Sequence, residues 1–180
     1  MIKLTMFRLI LGVFLLQSGL QAQVFMTREQ GLEKVFAGAD TVLRKTVFLE
    51  KDERKELERM AHSTLPSRIV TYYVGMQDGS VMGYAFLQQQ QIRTKEGVFL
   101  VLVTPEGKVG AVEVLAFREP RDYLPAPAWF GLFLNRVLDD RLWPGRDVHA
   151  ITGATLTVRA FTLSVRRALA LFTRVAEGQR

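Results

Sequence analysis

The sequence predicts an α+β fold, an antiparallel sheet of consecutive hairpins with helices packed on it. Three observations predict it. The centre holds β-branched and apolar runs joined by two strong turn signals, Asp78-Gly79 and Thr104-Pro105-Glu106-Gly107. The segments on either side carry apolar residues at helical spacing. No internal repeat is visible, and 48% of the 180 residues are apolar, which suits one domain with a substantial core behind an N-terminal extension.

Residues 1–22 read as an export signal. Lys3 and Arg8 make a basic start, Leu9 to Leu16 is an unbroken apolar run, and a short polar tail ends on Ala22 at a plausible cleavage position. Leu20 is larger than signal peptidases prefer at that place, so the alternative is an uncleaved membrane tether. Eight apolar residues are too few to span a bilayer at ~20 residues per crossing. Residues 23–66 then form a helix–strand–helix part of the domain. Thr27 with Gln30 makes a capping box, followed by a stripe of Leu32, Val35, Phe36 and Ala39 that Gly38 helps to end. Thr41 to Leu49 reads as a strand. Asp52 is expected to cap a second helix, with Leu57, Met60 and Ala61 inward and Pro66 ending the element.

Residues 67–176 form the main body. Ile69 to Gly75 and Ser80 to Gln88 flank the first turn, and Gly97 to Val103 and Lys108 to Phe117 flank the second. Gln88 to Gln91 reads as a solvated edge. The proline-rich stretch from Glu119 to Pro127 is a loop. Ala128 to Leu138 returns to helical spacing through Trp129, Leu132, Phe133 and Val137. A final helix is expected from Leu156 to Val175, burying Phe161, Val165, Ala168, Leu169 and Phe172, with Arg159, Arg166, Arg167 and Arg174 mostly on other faces.

Composition excludes several chemistries. The chain has no cysteine, so it has no disulfide, no thiolate-held iron–sulfur cluster and no c-type haem attachment. Two histidines and no ligand-spaced cluster leave no metal site to expect. No nucleophile elbow, P-loop or dinucleotide fingerprint is present. The formal charge of +6 falls to +4 without Lys3 and Arg8. The remaining basic residues are interleaved with acids, so nucleic acid is not an expected partner.

What remains is Ala150-Ile151-Thr152-Gly153-Ala154-Thr155-Leu156-Thr157, where an extended region turns into the last helix. Small residues let backbone amides approach an anion, hydroxyls stand beside them, and the helix adds the positive end of its dipole. The segment suggests a phosphate site with an ester-bearing hydroxyl. The plain alternative is a Thr cap before a helix.

The segment resembles the flavinylation motif of the covalent FMN-binding domain family, in which Ser or Thr, Gly, Ala and Thr precede a helix. That domain is found in the G subunit of Rnf-type ferredoxin–NAD oxidoreductases and the C subunit of sodium-pumping NADH–quinone oxidoreductases. Tyr72-Tyr73-Val74-Gly75, Asp78-Gly79 and Gly83-Tyr84-Ala85 resemble its first hairpin, Thr104-Pro105-Glu106-Gly107 its second, and Phe117-Arg118-Glu119-Pro120 its Glu-containing loop. The resemblance implies FMN held by a phosphoester to Thr155. It also implies a magnesium-dependent flavin transferase as maturation partner, with FAD as donor. Thr152, Gly153, Ala154 and Thr157 would shape the phosphate pocket, and Glu119 would approach the ring or phosphate. Trp129, Phe130, Phe133 and Trp143 are candidates for an apolar wall beside the ring. One departure stands out: the family's Asp six positions before the modified Thr is His149 here, with Asp147 two residues earlier.

The function expected on this reading is an exported electron carrier serving membrane-associated redox partners, without a substrate of its own. The competing readings are an envelope binding or assembly module of the same fold without flavin, and a reductase of a small diffusible substrate.

Overall fold

The computed structural model describes residues 23–177; the export-signal reading of residues 1–22 lies outside them. Nine elements follow in order: β1 (Gln23–Val24), α1 (Arg28–Val35), β2 (Thr41–Phe48), α2 (Lys51–Ala61), β3 (Ile69–Gln77), β4 (Ser80–Gln91), β5 (Glu96–Val103), β6 (Val109–Phe117) and α3 (Thr155–Glu177). Two 3₁₀ turns, Arg121–Tyr123 and Pro127–Phe133, lie between β6 and α3. The strands form one antiparallel sheet in the order β1-β6-β5-β4-β3-β2. The α+β expectation of consecutive hairpins is what the chain builds. Asp78 and Gly79 both take positive φ, 49° and 74°, in the β3–β4 turn, as a tight hairpin matched to strand twist requires.

The two faces of the sheet carry different cores. Tyr72, Val74, Phe86, Phe99 and Val101 point toward α2 and α3, whose Leu57, Ala61, Phe161, Val165, Ala168 and Leu169 complete the larger cluster. Tyr73, Ala85, Leu100 and Leu115 point the other way, onto Phe36 at the end of α1. Phe36 lies on bare backbone: a Cβ on Gly75 would come within 2.3 Å of its ring. The capping box at Thr27 forms as expected, Thr27 Oγ1 accepting from the Gln30 amide and Gln30 Oε1 from the Thr27 amide.

Several expectations are corrected. The second helix is capped at Glu50, whose amide donates to Glu53 Oε2 at 2.8 Å; Asp52 sits inside the first turn and pairs with Lys55. It stops at left-handed His62 (φ 51°), four residues before Pro66. The helical spacing after Ala128 gives only 3₁₀ turns to Phe133. Beyond it the chain leaves the helical path because Asn135 (φ 61°) donates its amide to the Val109 carbonyl and Arg136 accepts from the Val109 amide. Gln88 to Gln91 belong to β4 and ladder with β5 up to Gln91↔Glu96, with Gln88 buried. The ladder to β3 ends at Tyr72↔Phe86, so this stretch is an edge on one side only.

The largest correction concerns α3. Arg159 is exposed, as expected, but Arg166 and Arg167 are 2% and 4% exposed. The neighbouring helices and loops cover a face that spacing alone leaves open. Arg166 donates to the carbonyls of Met60, Ala61, Asp139 and Leu142, two of them at the electronegative end of α2. Arg167 is less well met. Its bonds to the Thr64 and Gln89 carbonyls and Ser164 Oγ run 3.3–3.5 Å, and Nε has no partner. Burial without a carboxylate pulls its guanidinium down to about 10. Among the described residues no helix is long and apolar enough to cross a membrane.

The start of α3 rests on an aromatic cluster. Phe161, fully buried, packs on Phe99 (centroids 4.1 Å apart), Phe130 (4.8 Å) and Trp129 (6.0 Å). Phe161→Ala is expected to cost about 3–5 kcal/mol in urea unfolding, because a large side chain leaves a closed site. Arg167→Met removes a desolvated cation without stranding a carboxylate, so the same measurement should show a loss below about 1 kcal/mol, or a gain.

Candidate functional site

Gly153 takes φ 82° in a turn closed by the Ala154 amide and the Ile151 carbonyl, 3.0 Å apart. The Ala154 carbonyl accepts from the Val158 amide, which makes Ala154 the cap residue of α3 and Thr155 its first helical residue. Alanine offers no side-chain oxygen at that place, so the amides of the first turn are left without the usual protein acceptor. Nothing lies within 4 Å of a Cβ built on Gly153, so the space above the turn is open. A left-handed glycine, a helix start with an Ala cap and the exposed Thr155 thus share one spot.

That spot borders a cavity of about 290 Å³, at the small end of ligand sites. Three stretches wall it: Ile92 and Arg93 in the β4–β5 turn, Glu119 and Tyr123 after β6, and Gly153 to Thr157. Ile92, Tyr123 and Leu156 supply apolar surface, whereas Arg93 and Glu119 supply charge. Such a cavity accepts an anion at the helix end and leaves the bulk of a larger ligand toward the opening.

Glu119 is 8% exposed, and its Oε1 accepts from the amides of Arg93 (3.2 Å), Thr94 (2.8 Å) and Lys95 (2.8 Å) and from Thr94 Oγ1 (3.4 Å). Burial pushes its carboxyl up, but these donors outweigh burial and hold it below the ordinary glutamate value. The residue therefore clamps the β4–β5 turn to the end of β6 and fixes Arg93 at the wall. It pairs with neither flanking arginine; Arg118 instead faces Glu96 at 3.9 Å.

Of the six residues expected from sequence, Thr155, Gly153, Ala154, Thr157 and Glu119 come together around the cavity. Thr157 is buried in its wall, 2% exposed. Thr152 is exposed at the corner of the turn, outside the lining. None of Trp129, Phe130, Phe133 and Trp143, the candidates for an apolar wall, lines this cavity. Trp129, Phe130 and Phe133 pack beneath the start of α3, because the apolar side of that helix offers them more buried contact than the open cavity does. Trp143 lies with His62 and Arg166 at a separate surface pocket. Ile92, Arg93 and Tyr123 take the places beside the cavity. Nothing in their spacing marks them, since they meet the motif only through the fold.

The approach to the motif is braced. Asp147 accepts from Arg136 at 2.7 Å and Arg141 at 3.0 Å, and Trp129 Nε1 donates to the His149 carbonyl at 3.1 Å. The exposed His149 side chain faces solvent. Among the described residues no group of three acidic, His or Cys side chains is placed to hold a metal.

Residues 67–170 match the FMN-binding domain family, more than half of the chain. The chain belongs to that family. NqrC of Shewanella oneidensis has a similar fold: TM-score 0.57 and 16% identity over 84% of this chain and 89% of that one. No curated protein sequence matches the chain. The family match runs from β3 into α3 and contains every wall of the cavity.

Because the Glu119 carboxyl is depressed in the fold, its contribution is present above the unfolded glutamate value and is lost as pH falls through the folded value. Glu119→Ala strands three amides and is expected to cost about 1–3 kcal/mol at neutral pH. The deficit relative to wild type should shrink in acid, where both lack the carboxylate. Chemical denaturation at neutral and acidic pH reads both effects.

Proposed function

We propose that this protein is an exported electron carrier whose FMN is esterified through its phosphate to Thr155. The observation that carries this reading is the conjunction at the start of α3: an Ala cap, left-handed Gly153 and an exposed Thr155 bordering the cavity. A phosphodiester there keeps one negative charge, which the first-turn amides and helix dipole favour by about 0.3–1 kcal/mol. That is too little to retain a cofactor in dilute surroundings, and a covalent bond removes the problem.

FMN supplies reversible one- and two-electron transfer when bound. The chain's own residues do the rest. Gly153, Ala154 and the amides of Thr155 to Thr157 receive the phosphate. Thr157 closes the wall, Ile92, Tyr123 and Leu156 exclude water from apolar cofactor surface, and Glu119 holds the β4–β5 turn against it. The walls offer no acid–base pair facing a second substrate, which favours a carrier over a reductase. Export rests on the pattern of residues 1–22, and with it go a flavin transferase outside the cytoplasm and membrane-associated redox partners.

One observation favours a second reading. His149 occupies the place of the family's Asp, and Asp147, the nearest acid, is committed to Arg136 and Arg141. If that Asp is needed for transfer, the chain is a flavin-free envelope module of the same fold.

The two readings separate in cells that also make a flavin transferase. Denatured wild-type chain should fluoresce yellow-green on a gel and carry the mass of one FMN ester. Thr155→Val should match wild type in circular dichroism yet stay dark. A folded wild-type chain with unmodified mass from its native host would favour the flavin-free module.

A further inference from the structure

The arginines of this chain are mostly committed. Arg28, Arg54, Arg59, Arg68, Arg118, Arg136, Arg141 and Arg174 each face a carboxylate, and Arg146, Arg166 and Arg167 donate to carbonyls. Arg44, Arg93, Arg121 and Arg159 are exposed and form no ion pair among the described residues, and Arg121 lies over the Phe25 ring. Arg93 is one of the cavity's lining residues. Arg159 stands one helical turn beyond Thr155, on the same side of α3.

Lys95, in the same turn as Arg93, also lacks an ion pair among the described residues. Glu119, the acid beside Arg93, is buried with Oε1 engaged by three amides. The acids nearest in sequence are Asp122 and Glu96, the latter already facing Arg118. Leu156, another lining residue, is an apolar side chain left 50% exposed in the first turn of α3. Exposed cations close to an exposed apolar side chain make a surface to which an anionic partner is steered and on which it is then seated.

We propose that the mouth of the cavity is a docking surface for an electron-exchange partner with an acidic face. The proposal rests on FMN occupying the cavity. Arg93 and Arg159 steer that partner toward the flavin, and Leu156 provides the apolar contact. Steering of this kind acts on the rate of encounter and is screened by salt over about 10 Å at 0.1 M.

Small redox ions of opposite charge test it on full-length, FMN-loaded protein reduced with one equivalent of dithionite. Two ferricyanide ions each take one electron, and the flavin returns to its oxidised form as its protons leave. The rate with ferricyanide should fall about tenfold between about 0.01 and 0.5 M salt, and the rate with cationic hexaammineruthenium(III) should rise. In the R93Q/R159Q double variant the low-salt ferricyanide rate should drop at least about threefold while the ruthenium rate rises. A changed flavin potential would instead move both rates together. R93K/R159K keeps the charge and should recover the low-salt ferricyanide rate lost in R93Q/R159Q.

A ferricyanide rate indifferent to salt, or unaltered in R93Q/R159Q, overturns the proposal while the loaded, yellow protein leaves the FMN reading intact. Colourless wild type overturns that reading, and this proposal with it. Variant-sensitive binding to phosphatidylglycerol vesicles together with variant-insensitive ferricyanide rates assigns the surface to lipid and overturns a protein partner.

Discussion

The register of α3 against the sheet is the constraint on which the site depends. Phe161, Val165, Ala168 and Leu169 are buried against the strands, and Arg166 ties the middle of the helix to the carbonyl end of α2. A helix held at so many points cannot slide. Its first free amides therefore emerge at one place, beside Gly153 and Thr155. A slip of one residue would turn every side chain by about 100° and carry Thr155 away from the cavity. The aromatic cluster of Trp129, Phe130, Phe133 and Phe161 is the floor that sets this position.

Two kinds of buried charge accompany that architecture, and the fold treats them differently. The Glu119 carboxylate lies in a ring of amides from one tight turn, an arrangement that suits an anion and depresses its carboxyl. The buried arginines meet carbonyls instead. Arg166 finds four, two of them reinforced by the α2 dipole, whereas Arg167 makes long bonds and leaves Nε unpartnered. Glu119 and Arg166 tie distant stretches of chain together. Arg167 is a cost the helix carries in order to cover the open side of β4, where its guanidinium meets the Gln89 carbonyl.

The same arrangement explains why the cavity is asymmetric in charge. The anion-accepting end belongs to α3 and is made of backbone, so it depends on small residues and not on cations. The cation in its lining is Arg93, and Arg159 stands exposed one helical turn beyond Thr155.

Much of the fold is legible because its signals are local. Asp78-Gly79, the Thr27 capping box and the Thr152-Gly153-Ala154-Thr155 string each act through dihedral preferences and hydrogen bonds that close within a few residues. Where apolar spacing is the only guide, it marks most of the elements but not always their type or their ends. Asp52 lost the cap to Glu50, and the segment after Ala128 gave up its helix to bonds with Val109. The tertiary structure alone decided that Glu119 clamps the β4–β5 turn, that Arg93 and Tyr123 wall the cavity, and that Arg166 and Arg167 are interior. These outcomes join residues tens of positions apart. A linear pattern records which side chains share a face, but only packing selects what covers that face.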